Sequence, residues 1–425
     1  MRLVLAAPRG RSGKTTITLG LIEALSKRGL VVQPFKKGPD YIDPSWLSLA
    51  AGRPCRNLDL YFLPAEQLRA HFLACCQGAD LALIEGAMGL FDGLDLEGTN
   101  STAHLACTLS APVILVVDGT RMTRSAAALV RGFQHFEPQV KLAGVILNNV
   151  ARPRHEDMLC RSIEHYTSLP VLGALPKRAD LSIPDRHLGL VPAAENHKLA
   201  EALAACGAAV AQGVDLEALL AIARQAPPLP SPSGSNFFLP GSEAKSERQQ
   251  RTSPPRARLG VFRDRAFTFY YPENLEALIQ AGAQLVPIDS LTDPELPDLD
   301  GLYIGGGFPE IFASQIEANL PLRQAVRQAV AEGMPVYAEC GGLMYLARRL
   351  NYQGRWYAMS GALPYDVVMS SQPQGHGYTA MLVERESPLF APGTLIRGHE
   401  FHHSQVVNLE TEAVRFLYRV QRGFG

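Results

Sequence analysis

The segment APRGRSGKTT, residues 7–16, constrains the fold more than any other, because it follows an apolar run and opens a helix-like one. In that context backbone N–H groups at a helix N-terminus bind phosphate, Lys14 adds a positive charge, and the Thr15 hydroxyl suits Mg²⁺. Pro8 stands where the usual GxxxxGK[ST] pattern has its first glycine, so the loop is a variant. We predict a nucleotide-binding loop made of Gly10, Ser12, Gly13, Lys14, Thr15 and Thr16.

The loop opens a region in which apolar, strand-like runs alternate with helix-like runs. Apolar runs of this length and composition are typical of buried parallel strands, and their alternation with helices predicts a doubly wound α/β sheet. The predicted strands occupy residues 2–8, 31–36, 81–86, 112–118 and 142–149. The first helix is predicted over residues 14–29, where a glycine follows a cationic turn.

The 425 residues divide at a segment rich in proline, serine, glycine and charge. We predict a domain over residues 1–225, a linker over 226–257 and a second domain over 258–425. The second domain repeats the α/β pattern and is also expected to be doubly wound. Its predicted strands occupy residues 258–264, 283–289, 301–307 and 335–340.

The composition argues against two classes of partner, nucleic acids and membranes. The formal net charge of −1 argues against a nucleic-acid surface, and the longest apolar runs have the length of a strand rather than of a membrane span. The first residues lack an apolar signal core, so we expect a cytoplasmic protein. Seven cysteines without CxxC spacing indicate reduced thiols.

Acidic side chains follow two of the predicted strands. Glu85 ends one strand, and Asp40 follows another beside a pair of lysines. A phosphoryl-transfer site needs such acids for Mg²⁺, so we predict a metal site of Thr15, Asp40 and Glu85, with less weight on Asp43. Asn148, at the end of a later strand, either contacts the nucleotide base or caps the next turn.

The segment YAECGGLMYL, residues 337–346, predicts a strand, a sharp corner and a helix, with Cys340 at the corner. Such a corner exposes a nucleophile, and the helix N-terminus is expected to lower the pKa of the thiol. The N–H group of Gly341 is one predicted oxyanion donor, and the glycine-rich strand end at Gly306 and Gly307 supplies the others.

A cysteine nucleophile needs a base, and RGHEFHHSQ, residues 397–405, offers three histidines. If the segment is extended, Glu400 and His402 lie on one face, and His402 is the predicted base. A metal-binding cluster is the alternative interpretation of these histidines.

Taken in order, the variant phosphate loop, KKGPDYIDP, IEGAMGLFDG, GGGFPE, AECGGLMYL, GHGYT and RGHEFHHS resemble the cobyrinate a,c-diamide synthases. These are glutamine-dependent amidotransferases of corrinoid biosynthesis. The resemblance covers the chain apart from the linker. It implies an N-terminal P-loop NTPase-like domain similar to dethiobiotin synthetase and a C-terminal domain like the class I glutamine amidotransferases.

By that resemblance, Cys340 forms a thioester with glutamine, and His402 activates the thiol and then water. The released ammonia would amidate the a- and c-acetate carboxylates of cobyrinate or hydrogenobyrinate, through an acyl phosphate made with ATP and Mg²⁺, in cobalamin biosynthesis. Asp40, Glu85 and Asp92 match acidic positions of the family's synthetase site, and Tyr41 lies directly after Asp40; the resemblance places Asp40, Tyr41 and Asp92 at the substrate. The implied partners are glutamine and a tetrapyrrole carboxylate, with no nucleic acid and no membrane, and the sequence is compatible with a homodimer.

Three points stay open at this stage. Ser404 stands where related glutaminases have the acid of their triad, which indicates a Cys-His dyad. Residues 370–390 have a form that is also associated with relatives amidating sirohydrochlorin or sirohaem. The alternative of another class is a regulatory P-loop ATPase without amidation, which assigns no role to Cys340 or His402.

Overall fold

The structure is a computed structural model that describes residues 1–178, 181, 185–186, 189–190, 199–230 and 255–424. The chain divides into two units, Met1–Ala244 and Lys245–Gly425. The division falls within the segment predicted as a linker, most of which lies outside the described residues. No helix in the described ranges is long and apolar enough to cross a bilayer.

The first unit contains nine strands and eight helices within its described residues. Its strands are β1 (Arg2–Ala6), β2 (Val32–Lys37), β3 (Arg56–Leu58), β4 (Leu81–Glu85), β5 (Val113–Asp118), β6 (Leu142–Val150), β7 (Val171–Pro176), β8 (Asp185–Arg186) and β9 (Gly189–Leu190). Its helices are α1 (Lys14–Lys27), α2 (Ile42–Ala51), α3 (Ala65–Cys75), α4 (Thr102–Thr108), α5 (Ser125–Phe136), α6 (Pro153–Thr167), α7 (Leu199–Gly213) and α8 (Leu216–Arg224).

Seven of these strands form one parallel sheet in the order β3-β2-β4-β1-β5-β6-β7. From β1 the chain continues to β2, toward one edge of the sheet, and from β4 it continues to β5, toward the opposite edge. The direction of winding thus reverses next to β1 and β4. Ligands of doubly wound sheets bind at such a reversal, outside the carboxyl ends of the strands. The phosphate loop follows β1 and Glu85 ends β4, so the fold brings the two sequence signals to one crevice.

Both faces of this sheet are covered, as a buried parallel sheet requires. Along β1, Leu3 and Leu5 pack on one face with α1, α2, α7 and α8, whereas Val4 and Ala6 pack on the other with α3 to α6. All five residues of β1 are buried, which explains why the strand reads as a continuous apolar run. The doubly wound architecture predicted for this half is confirmed.

The second unit begins with a parallel sheet and continues with a mixed sheet and an antiparallel one. Its elements are β10 (Ala257–Phe262), α9 (Pro272–Gln280), β11 (Ala283–Ile288), β12 (Gly301–Ile304), α10 (Ala313–Ala318), α11 (Leu320–Ala331), β13 (Val336–Ala338), α12 (Gly341–Leu346), β14 (Arg349–Tyr352), β15 (Arg355–Ala358), β16 (Asp366–Met369), β17 (Gly375–Val383), β18 (Leu395–His402), β19 (Ser404–Val407) and β20 (Tyr418–Arg422). A short 3₁₀ turn covers Thr411–Ala413.

Three sheets organise the second unit. The parallel sheet has the order β11-β10-β12-β13, and its strands are the four predicted from the sequence. A mixed sheet, β15-β14-β16-β19, and an antiparallel one, β18-β17-β20, complete the unit. The segment with the predicted base is extended, as expected, and forms the end of β18.

Candidate active sites

The phosphate loop has the backbone of an anion-binding turn. Arg11 and Gly13 both have positive φ, at 59° and 90°, and Gly13 is the N-cap of α1. A side chain at Gly13 would begin 2.0 Å from Nδ2 of Asn148, so only glycine fits. Asn148 is buried and donates its amide hydrogen to the carbonyl oxygen of Ser12 at 3.0 Å. The Asn148 side chain therefore braces the phosphate loop with one of its two N–H donors.

Lys14 links the phosphate loop to the loop after β4. Its ammonium donates to the carbonyl oxygen of Met88 at 2.7 Å. Burial lowers the pKa of Lys14 to about 8, partly opposed by the charge of Glu85. A buried lysine here places a cation against the loop, which is the electrostatic setting that bound phosphate requires.

The other loop residues have local roles. Ser12 is buried and donates to the carbonyl oxygen of Arg9 at 3.0 Å. Thr16 donates to the carbonyl oxygen of Leu181 at 3.4 Å. Nothing lies within 4 Å of a side chain built at Gly10, so that position opens onto free space.

The centre of the first site is the ammonium of Lys36, which sequence analysis did not select. Lys36 and Glu85 are paired residues of the neighbouring strands β2 and β4. The Lys36 ammonium lies 2.7 Å from Oε1 of Glu85 and 3.8 Å from Oδ2 of Asp40, and it contacts the carboxylate of Asp43. Burial alone would lower the pKa of Lys36, but these carboxylates raise it well above its usual value. A buried strand that ends in lysines was the signal that could have identified this residue.

The acids predicted to bind Mg²⁺ thus converge, but on a lysine of the chain itself. Asp40 accepts from the backbone N–H of Ile42 at 2.8 Å and that of Asp43 at 3.1 Å, which caps the start of α2. Burial, together with the charge of Asp43, raises the pKa of Asp40 to about 7, and Lys36 opposes this rise.

Thr15 and Glu85 fit a cation best. The Thr15 hydroxyl donates to Oε1 of Glu85 at 2.8 Å. Glu85 is fully buried, and its Oε2 has no hydrogen-bond partner among the described residues. An orphaned carboxylate oxygen beside a hydroxyl is a ligand set that Mg²⁺ favours. In the described part of the chain, no group of three or more His, Cys, Asp or Glu side chains forms a metal site by itself.

The remaining predicted residues flank this centre. Tyr41 is half-buried at the N-cap of α2, directly after Asp40. Asp92 is exposed and accepts from the N–H group of Gly89 at 2.7 Å, within the loop that Lys14 contacts. Tyr41 and Asp92 therefore lie in the loops that follow β2 and β4, at the same edge of the sheet as the phosphate loop.

The second site is built around a strained backbone corner. Cys340 has φ 51° and ψ −110°, a conformation that a residue with a side chain rarely adopts. A side chain at Gly342 would begin 2.1 Å from the carbonyl oxygen of Ile304, so the corner can approach β12 only with glycine at that position. Strain of this kind concentrates at functional positions, and the thiol is exposed.

The predicted oxyanion residues surround this thiol. The backbone N–H groups of Gly307 and Gly341 bond to the Cys340 sulfur, and a side chain at Gly306 would begin 3.3 Å from Cβ of Cys340. These donors lie beside the nucleophile, close to where an oxyanion would form when the sulfur attacks a carbonyl carbon.

The expected effect on the pKa of the thiol is wrong. Although Cys340 is exposed as a residue, the protein packed around its sulfur desolvates the thiol and raises its pKa to about 11, and the charge of Glu310 adds to this rise. The N–H groups of Gly307 and Gly341 lower it, but they do not compensate. The short helix after Cys340 therefore does not generate a thiolate on its own, and a base is needed to remove the proton.

The three histidines in and directly after β18 have separate hydrogen-bond partners. His402 bonds through Nδ1 to the carbonyl oxygen of Ser404 at 2.9 Å, and its Nε2 lies 3.7 Å from Oε2 of Glu400. His399 bonds to the Tyr271 hydroxyl at 3.0 Å, and burial lowers its pKa to about 4. The buried His403 faces the carbonyl oxygen of Ser370. Within the described residues, no hydrogen bond joins His402 to Cys340, and the three rings do not form a metal cluster.

Two family models match the chain. Residues 3–191 match a CobQ/CobB/MinD/ParA nucleotide binding domain, and residues 258–424 match a CobB/CobQ-like glutamine amidotransferase domain. The first unit is thus a nucleotide-binding domain and the second a glutamine amidotransferase domain, as the sequence predicted.

Curated relatives match over nearly the whole length. The cobyrinate a,c-diamide synthase of Magnetococcus marinus is 47% identical over 100% of this chain and 89% of its own length. That of Methanosarcina acetivorans is 41% identical over 100% and 88%. The hydrogenobyrinate a,c-diamide synthase of Streptomyces coelicolor is 45% identical over 95% of this chain and 87% of its own. The chain therefore belongs to the cobyrinate a,c-diamide synthase family of glutamine-dependent ligases.

Proposed function

We propose that this protein amidates the a- and c-acetate carboxylates of cobyrinate or hydrogenobyrinate in cobalamin biosynthesis, using ATP and ammonia from glutamine. One observation carries the proposal: a phosphate loop beside buried carboxylates and a strained, exposed cysteine corner occur in the same chain. The names of the relatives support the corrinoid substrate. A regulatory ATPase would use only the first of these sites, and the amidotransferase match speaks against it.

The second unit supplies ammonia in this proposal. Cys340 attacks the side-chain amide of glutamine, and His402 takes the thiol proton and passes it to the leaving ammonia. N–H groups at Gly306, Gly307 and Gly341 stabilise the oxyanion that forms on the amide oxygen. His402 then activates water, which hydrolyses the thioester to glutamate.

The first unit activates the acceptor. A carboxylate resists nucleophiles until one of its oxygens becomes a phosphate leaving group, so the γ-phosphoryl group of ATP is transferred to it, and ammonia displaces phosphate from the acyl phosphate. The loop from Gly10 to Thr16 would bind the ATP phosphates, and Lys14 would balance their charge. Thr15 and Glu85, with Asp40 nearby, would hold Mg²⁺, which neutralises phosphate charge when bound.

Lys36 has a positioning role in this scheme. Its ammonium holds Glu85 and Asp43 in place by direct contact and lies within 3.8 Å of Asp40. Asp40, Tyr41 and Asp92 would face the substrate carboxylate and the transferred phosphate. Because ATP and glutamine are cytoplasmic metabolites, we assign the reaction to the cytoplasm.

Cys340→Ser is expected to reduce glutamine-dependent amidation at least about 100-fold and to leave ammonia-dependent amidation unchanged, because only ammonia supply uses the thiol. Both rates are measured with the same macrocycle and ATP. Cys160→Ser is the matched control, since burial raises the pKa of Cys160 to about 11 as well. Loss of both activities in a folded Cys340→Ser protein would contradict this division of labour.

Glu85→Gln is expected to impair amidation about 100-fold with either nitrogen source, because it removes the charge that would hold Mg²⁺ and that pairs with Lys36. Hydrolysis of glutamine to glutamate should persist. Glu156→Gln, on the exposed side of α6, serves as the control. If the Glu85→Gln protein amidates at the wild-type rate with ammonia, Glu85 has no role in the amidation site.

A panel of cobyrinate, hydrogenobyrinate, nickel-sirohydrochlorin and sirohaem tests the substrate. Mass spectrometry detects each carboxylate-to-amide conversion, and we expect two conversions on a corrinoid substrate and none on the other macrocycles. If only sirohydrochlorin or sirohaem is amidated, the proposed reaction stands but the proposed corrinoid substrate is wrong. A protein that releases no glutamate from glutamine with ATP, Mg²⁺ and all four macrocycles present would not be a ligase of this kind.

A further inference from the structure

Glu400 contacts the predicted base His402 and has no part in the mechanism given above. The two residues are two apart on β18, so their side chains point to the same face. Oε2 of Glu400 lies 3.7 Å from Nε2 of His402, and the carboxylate is 13% exposed. A carboxylate at this distance from an imidazole nitrogen, and mostly screened from water, favours a positive charge on the ring.

Nothing separates the carboxylate from the ring. Gly375 is the residue of β17 paired with His402. A side chain at Gly375 would begin 2.4 Å from Nε2 of His402 and 2.7 Å from Oε2 of Glu400. Only glycine at this position leaves room for both groups.

The C-terminal segment fixes the other carboxylate oxygen. The backbone N–H of Phe424 donates to Oε1 of Glu400 at 2.6 Å. A side chain at Gly423 would begin 2.9 Å from the same oxygen, and the φ of Gly423 is 134°. The backbone after β20 thus closes over Glu400 and orients Oε2 toward His402.

The bond to Ser404 determines which nitrogen of His402 reacts. A carbonyl oxygen only accepts hydrogen bonds, so Nδ1, at 2.9 Å from it, carries the proton. Nε2 is then the nitrogen that receives the thiol proton. When Nε2 is unprotonated, its lone pair faces the negative carboxylate, which is unfavourable. When Nε2 is protonated, the ring is a cation that the carboxylate attracts.

The geometry points to Glu400 as a positioning residue that, oriented by the Phe424 N–H group, stabilises the imidazolium of His402 during glutamine hydrolysis. The proton moves from the Cys340 sulfur to Nε2, while the sulfur keeps the electron pair and bonds to the amide carbon of glutamine. The carbon–nitrogen bond then breaks, and ammonia leaves with the proton that Nε2 returns. Ser404 supplies a carbonyl oxygen at the ring's other nitrogen, and Glu400 supplies the charge.

Glu400→Gln tests the charge alone, because the amide keeps the size of the side chain and an oxygen for the Phe424 N–H group. We expect the kcat of glutamine hydrolysis to fall about 10-fold or more, with the KM for glutamine changed less than about 2-fold. Alkylation of Cys340 by iodoacetamide should slow in parallel, and Glu400→Asp should recover part of the rate. Ammonia-dependent amidation should not change.

The matched control is Glu384→Gln, whose carboxylate pairs with Arg419 on the exposed edge of the same sheet and should leave every rate at the wild-type value. A wild-type kcat in Glu400→Gln overturns the inference. The inference is also overturned if kcat falls together with changes in KM and thermal stability and Glu400→Asp recovers none of the rate. That pattern would show a structural effect.

This inference rests on the proposed roles of Cys340 and His402, so Cys340→Ser and His402→Ala are assayed beside it. If either keeps full glutamine hydrolysis, the proposed function fails. If both lose it while Glu400→Gln remains at the wild-type rate, only the role of Glu400 fails.

Discussion

The first site depends on one interaction, the ion pair between Lys36 and Glu85 across strands β2 and β4. A buried ammonium is stable only if its charge is compensated, because removing an ion from water costs several kcal/mol. Lys36 is 4% exposed and Glu85 is fully buried, so neither charge could stay there alone. The two residues are directly paired in the register of the two strands, and the carboxylates of Asp43 and Asp40, at the start of α2, approach the same ammonium. Among the described residues, Oε2 of Glu85 has no hydrogen-bond partner, and Oε1 accepts from Thr15 of the loop proposed to bind phosphate.

The second site depends on backbone geometry rather than on charge. Cys340 adopts a positive φ that costs on the order of 1–3 kcal/mol for a residue with a side chain, and the two glycines that follow it allow the corner to pack closely against β12. The result exposes the sulfur to the N–H groups of Gly307 and Gly341. Because desolvation raises the pKa of the thiol, the proposed reaction needs a base to remove its proton, which is the role proposed for His402 with its neighbour Glu400.

Much of this could be predicted from the sequence because the informative patterns are local. A buried parallel strand is a continuous apolar run, so β1, β2, β4, β5 and β6 were found within a residue or two of their ends. The phosphate loop and the Cys340 corner are strand–turn–helix motifs whose glycines are visible in the sequence. The antiparallel strands of the second unit alternate less clearly and were not predicted apart from the segment with His402.

What escaped prediction depends on contacts between distant residues. Lys36 became central only when the sheet order placed β2 beside β4, since the two residues are far apart in the chain. The sign of the Cys340 pKa shift was wrong because a motif shows the N–H donors but not the desolvation around them. Asn148 was predicted to contact a base or to cap a turn, and the structure adds a contact that the sequence did not indicate: its amide braces the phosphate loop from a strand two positions away in the sheet.

The central claim is that the Lys36 ammonium organises the carboxylates that activate the acceptor. The most direct measurement is the ammonia-dependent amidation rate of Lys36→Met, which keeps the length of the side chain and removes its charge, against Lys27→Met on the surface of α1. With both proteins folded by circular dichroism, the account predicts a loss of about 100-fold in the first and none in the second. A wild-type rate in Lys36→Met would contradict it.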